Sequence, residues 1–88
     1  MDLTYQGISS VLKHIFRNQT NKTLLDYRGG ENVIYIGLAT PGTSIRTAKW
    51  QIKMMTYDAN DNVTSIRYAR GTLDFSFKWT NRLVYSYS

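Results

Sequence analysis

A chain of 88 residues without cysteine has room for one domain with a small core, and neither disulfides nor a Cys/His zinc cluster can reinforce it. Its net charge of +5 and pI near 9.7 suit an acidic partner: nucleic acid, a membrane surface or an acidic protein face. The eleven Lys and Arg residues form no run of like charge, which excludes a polybasic tail or nuclear address.

The amino end, Met1-Asp2-Leu3-Thr4, has no basic region followed by an apolar run, so no secretory signal is expected. No apolar stretch approaches the ~20 residues of a membrane span. The chain is expected to be made in a cytoplasm, which leaves Asn18-Gln19-Thr20, Asn21-Lys22-Thr23 and Asn62-Val63-Thr64 as chance matches to the glycosylation sequon. Across 8–16, Ile8, Val11, Leu12, Ile15 and Phe16 stand at helical spacing while Lys13, His14 and Arg17 take other faces. One short amphipathic helix is predicted, and a helix of that length needs a surface to pack on. Its stripe is expected to cover one end of a sheet; in a second reading, Val11 and Ile15 bind a partner.

A brief strand is predicted at 23–27, followed by the loop Arg28-Gly29-Gly30-Glu31-Asn32. That glycine pair lacks the Lys-Ser/Thr of a phosphate-binding loop. The run 33–39, VIYIGLA, is nearly all apolar and reads as a central strand buried on both sides or lining an interface. Gly37 within it implies a bulge or the close approach of another backbone. Pro41 and Gly42 then suit the two central positions of a type II turn.

The stretch that organises the chain is 46–71, RTAKWQIKMMTYDANDNVTSIRYARG. Ala48, Trp50, Ile52 and Met54 alternate with Lys49, Gln51 and Lys53, and the run 63–69 is β-branched and aromatic. The five residues between the runs are turn formers, so a hairpin is predicted. With Tyr57 facing Val63, an unbroken register sets Thr56 opposite Thr64, Met54 opposite Ile66, Ile52 opposite Tyr68, Trp50 opposite Arg70 and Lys53 opposite Arg67. One face is then largely apolar. The other, with Lys49, Lys53 and Arg67, is wet and basic, and is either solvated or met by an acidic partner.

Beyond Gly71, Leu73, Phe75, Phe77 and Trp79 alternate with Asp74, Ser76 and Lys78, which reads as a strand, although Phe75, Trp79 and Arg82 also fit one or two helical turns. The residues 83–88, LVYSYS, read as a last strand. The predicted fold is mainly β: a small antiparallel β-sandwich or partly open barrel with one amino-terminal helix, in a single domain whose β core spans 33–88.

Catalysis requires positioned acids, bases or nucleophiles, and the chain offers one His, one Glu and five Asp. His14 has no acidic neighbour at helical spacing and reads as a surface histidine. Asp58, Asn60 and Asn62 share the spacing of a calcium loop, but Val63 and Ala69 stand where its Gly and bidentate Glu belong, so an EF-hand is excluded. No catalytic, cofactor or metal site is expected. Seven Tyr, two Trp and three Phe beside eleven cations match the make-up of single-strand nucleic-acid platforms, yet most of these aromatics fall on core faces. Tyr85 and Tyr87 are the pair expected to be exposed, as anchors for a protein partner.

The segment YDANDNVTSIRYARG resembles one YD-repeat of Rhs-type shell proteins. A single copy cannot build that solenoid, so the likeness is one of hairpin chemistry. A longer resemblance spans 33–88. It carries YIGLATPGT, then Trp50-Gln51-Ile52, Tyr57-Asp58, Asn62-Val63-Thr64-Ser65-Ile66, Ala69, Gly71, Phe75, Trp79, Arg82 and the closing Tyr85-Ser86-Tyr87-Ser88. This ordered set is similar to small structural proteins of tailed bacteriophages. Relatives commonly place Gly in the hairpin loop, where Asp61 stands here.

The resemblance implies a non-enzymatic virion protein, present in many copies at the tail, neck or capsid surface and assembled in the bacterial cytoplasm. Its partners would be other virion proteins and copies of itself, with no small-molecule substrate and no membrane. The residues expected to meet partners are Lys49, Lys53, Arg67, Tyr85, Tyr87, Val11 and Ile15. An accessory protein binding nucleic acid through the basic sheet face is the alternative.

Overall fold

The computed structural model describes residues 21–88. The amphipathic stretch at 8–16, with Val11, His14 and Ile15, lies outside the described residues. The chain is mainly β: four strands, β1 (Lys22–Asp26), β2 (Tyr35–Ala39), β3 (Gln51–Tyr57) and β4 (Val63–Tyr68), form one antiparallel sheet in the order β1-β2-β3-β4. The sheet is open, and its first strand, β1, falls at the brief strand expected at 23–27.

Local chemistry sets each connection. After β1, the Asp26 carboxylate accepts the Arg28 N–H at 2.9 Å, and Arg28 and Gly29 both turn to positive φ. The expected type II turn is present: the Thr43 N–H donates to the Thr40 carbonyl at 3.1 Å, and Gly42 sits at φ 90°. In the hairpin loop, Asp58 accepts hydrogen bonds from the amides of Asn60 and Asn62 at 2.8 and 3.0 Å. Asp61 takes the left-handed conformation, φ 63°, that a glycine would adopt without strain.

The hairpin register differs from the expected one. Tyr57 does face Val63, but a bulge follows, and beyond it Thr56 pairs with Ser65, Met55 with Ile66, Met54 with Arg67 and Lys53 with Tyr68. The Thr56 hydroxyl is hydrogen-bonded to the hydroxyls of both Thr64 and Ser65, so two β4 residues are held against one β3 residue. A slip of one residue exchanges the faces of everything downstream. Ile66 and Tyr68 join Met55 and Lys53, while Arg67 crosses to the side of Met54.

The two faces carry separate clusters. The front holds Ala39, Trp50, Ile52, Ala69, Phe77 and Trp79, packed by Leu24, Tyr35, Tyr85 and Tyr87. The back holds Val33, Ile36 and Met55, with Leu25, Tyr57 and Val63 against them.

The front cluster explains why the last two predicted strands are not strands. Phe77 makes a single antiparallel bridge with Trp50, and Tyr87 one with Ala69; between them lies a one-turn 3-10 helix, Trp79–Asn81. Residues 77–88 form a strap across the front face. The alternation of Leu73, Phe75, Phe77 and Trp79 therefore breaks midway: Phe77 and Trp79 are buried, whereas Leu73 and Phe75 are exposed. Gly37 is the seat for this strap. A Cβ there would lie 2.5 Å from Trp79 Cε3 and 3.1 Å from Trp50 Cε3, so the close approach expected at Gly37 is made by indole rings, not by backbone.

Candidate docking surface

The expected basic face does not assemble. Lys53 lies on the back, its Nζ 5.7 Å from the centroid of the Tyr68 ring, and burial pulls its pKa below the ordinary 10.5. Arg67 is exposed on the front, opposite Met54. Lys49 is exposed in the loop before β3, where its amide donates to the Thr47 carbonyl at 2.8 Å. The bulge separates Arg67 from Lys53, and Lys49 stands outside the hairpin strands. The sequence carries no decisive signal for the bulge, since Thr64 and Ser65 are near-equivalent hydroxyl residues.

Tyr85 and Tyr87 are not free anchors either. The Tyr85 hydroxyl accepts the Lys78 N–H at 2.9 Å, and its ring packs edge-on to Phe77 with centroids 4.9 Å apart. Tyr87 donates to the Arg82 carbonyl at 2.7 Å and packs on Tyr35 with centroids 5.6 Å apart. Burial, reinforced by the neighbouring phenols, raises the Tyr87 pKa well above its ordinary value of 10.0. Both side chains are half-buried parts of the strap.

The strap is locked by a pair that sequence spacing does not reveal. Arg82 Nε donates to Asp26 Oδ2 at 2.6 Å, Arg82 Nη1 donates to the Trp79 carbonyl at 3.1 Å, and the guanidinium lies 4.6 Å from the Trp79 ring centroid. Burial pushes the Asp26 carboxyl upward, but the Arg28 amide and the charges of Arg82 and Arg28 outweigh it and hold its pKa below 3.8. The partners are 56 residues apart, so only the fold brings them together.

Among the exposed apolar residues, three lie at one end of the molecule beside cations. The Thr80 N–H donates to the Ile45 carbonyl at 3.2 Å, which sets the 44–49 loop against the 3-10 helix. Exposed Ile45 therefore shares this end with Leu83 and Val84, which follow the helix and are 51% and 78% exposed. Arg46, Lys49 and Lys78 are exposed here too. The Trp50–Phe77 bridge places Lys49 and Lys78, the next residues outward, across from one another. An apolar centre with a charged rim is the anatomy of a protein interface.

Among the described residues, no group of three His, Cys, Asp or Glu side chains could hold a metal ion, and no helix is long and apolar enough to cross a membrane. Comparison with protein families, curated proteins and solved structures finds no match to the chain.

Proposed function

We propose that this chain is a non-enzymatic structural subunit of a tailed-bacteriophage virion, present in many copies at the tail, neck or capsid surface, that works by docking to other virion proteins and to copies of itself. The observation that carries the docking is the exposure of Leu83 and Val84 beside Ile45, within a rim formed by Arg46, Lys49 and Lys78. A partner that fits this end presents an apolar centre with acidic groups around it.

The likeness to phage structural proteins supports the virion assignment through the residues that carry it. Gly37, Pro41, Gly42, Trp50, Asp58, Trp79, Arg82 and Tyr87 are the turns, seats and locks of this fold. The shared phrases thus preserve a scaffold. In this reading, the sandwich or barrel expected from the sequence is completed by a second layer supplied by a neighbouring subunit. Binding of that kind also stabilises a small cysteine-free domain by mass action.

The test is mass spectrometry of purified, nuclease-treated virions of the phage encoding the chain, with this protein quantified against the major capsid protein. A fixed ratio matching a ring, a tail repeat or the capsid lattice is expected. Absence from particles despite abundance in infected cells would reject the virion reading. The nucleic-acid alternative is then tested by salt, because phosphate binding weakens steeply as salt rises.

A further inference from the structure

The antiparallel sheet sorts its connections to two ends, and the charges at those ends differ in sign. The β1–β2 and β3–β4 loops meet at one end, where Asn32 Nδ2 donates to Asp61 Oδ1 at 2.9 Å. Glu31, Asp58 and Asp61 are exposed there, and the cation among them, Arg28, pairs with Asp26 at 3.6 Å. At the other end lie the start of β1, the β2–β3 loop and the segment that follows β4. That end exposes Lys22, Arg46, Lys49, Arg70 and Lys78, with Asp74 as its acid. Lys49 and Lys78 stand across from one another beyond the Trp50–Phe77 bridge, a like-charge pairing that is unfavourable until an acid joins it. Among the described residues, both ion pairs belong to Asp26, so none of these five cations is paired. The seven residues of β3 hold the two ends about 23 Å apart at about 3.3 Å per residue. Salt screens charges over about 8 Å, so one copy cannot neutralise itself.

We propose that the acidic end of one copy docks on the basic end of the next, and that copies associate head to tail. Tyr27 is 40% exposed and is held in the acidic end by the Gly30 N–H, which donates to its carbonyl at 2.9 Å. Its ring is the apolar centre that meets Ile45, Leu83 and Val84, while Glu31 and Asp61 come against Arg46, Lys49 and Lys78. Twofold contacts are the poorer choice. Basic end on basic end sets Lys49 and Lys78 against their own counterparts, and acidic end on acidic end does the same for Glu31 and Asp61. A head-to-tail contact joins two different patches of one chain, so association continues until a ring closes or a fibre grows. The inference rests on the self-docking part of the proposed function and gives it two surfaces. Its test uses the purified chain, so it can fail while the protein is still found in virions.

Sedimentation velocity of the full chain is run over a range of concentrations in low and high salt. The parent should associate in low salt, and high salt should weaken that association ~10-fold as the exposed charges are screened. Arg46→Glu with Lys49→Glu and Lys78→Glu makes the basic end acidic. Glu31→Lys with Asp61→Asn makes the acidic end basic, and asparagine keeps the left-handed conformation available at that position. Each variant alone should associate ~10-fold more weakly than the parent, and an equimolar mixture of the two should recover the association, because their ends are again complementary. Recovery on mixing also shows that both variants fold. A parent that stays monomeric in low salt, a single variant that associates as the parent does, or two variants folded by urea titration that stay apart on mixing would overturn the proposal. The basic end would then be left to the acidic surface of another protein. A measurement on the parent alone guards against variants that do not fold: carbodiimide coupling of mixed isotope-labelled and unlabelled copies should join Glu31 or Asp61 of one copy to Lys49 or Lys78 of another. Couplings between copies that run only through Asp74 would overturn the head-to-tail arrangement.

Discussion

Gly37 lies beneath two indole rings, and a methyl group there would stand 2.5 Å from Trp79 Cε3. The ring cannot yield cheaply, because Trp79 is buried and Arg82 stacks on it. Gly37→Ala should therefore cost about 1–3 kcal/mol by overpacking. Gly30→Ala, where the nearest atom to the new methyl is 3.5 Å away, should stay within about 0.5 kcal/mol. Urea unfolding of the two variants makes the comparison.

The Asp26–Arg82 lock carries its own pH signature. The folded-state pKa of Asp26 is depressed below 3.8, so the stabilisation is present above that value and is lost as pH falls through the folded pKa. Asp26→Asn should be destabilised by about 1–2 kcal/mol at pH 7, and the gap to the parent should close in acid. A gap that does not change with pH would mean that the pair contributes through packing alone. The sequence shows Asp26 and Arg82 as two unrelated charges, because pairing across 56 residues has no local signature. Gly37 is different: a glycine inside an apolar strand announces that something comes close, though not what.

At the scale of elements, the hairpin divides what is legible from what is not. Alternation of Trp50, Ile52 and Met54 marks β3 because a half-buried strand imposes a period of two. The loop is equally plain, since Asp and Asn satisfy turn amides with their own side chains. The bulge is hidden. Thr64 and Ser65 are near-equivalent hydroxyl residues, and only the geometry of Thr56 between them decides that both stand opposite one residue. From that single step the basic face dissolves into two. The carboxyl-terminal strap misleads for a related reason: Phe77 and Trp79 alternate like a strand, but the ladder ends at one bridge and Trp79 seats over Gly37, where there is no Cβ to exclude it.

A prediction belongs to the loop itself. The amides of Asn60 and Asn62, and the Asn62 side chain, donate to Asp58 and hold its pKa below 3.8. Those bonds exist above that value and weaken as pH falls through the depressed one. Hydrogen exchange should show both amides protected at neutral pH and progressively exposed in acid, with Asp58→Ala exposed at every pH. Protection that survives Asp58→Ala would assign the turn's order to backbone contacts instead, such as the Asp58 N–H to Asn62 carbonyl bond.

For the whole molecule, the front face and one end have different tasks. The front is closed by the strap and so offers no large surface to another protein. The end bearing Ile45, Leu83 and Val84 does, because all three are exposed. Two aspartates there separate docking from folding: Leu83→Asp with Val84→Asp removes exposed apolar surface and costs the isolated chain no more than about 0.5 kcal/mol. The same change sets two charges against the partner's apolar centre and beside its acidic groups, and burying them there without a partner opposes binding. The variant should fold with parental stability by urea titration yet be depleted from virions in a competition with the parent chain during infection. Parental stability together with parental incorporation would move the contact elsewhere, and the exposed pair Leu73 and Phe75, on the segment leading into the strap, would be the next surface to alter.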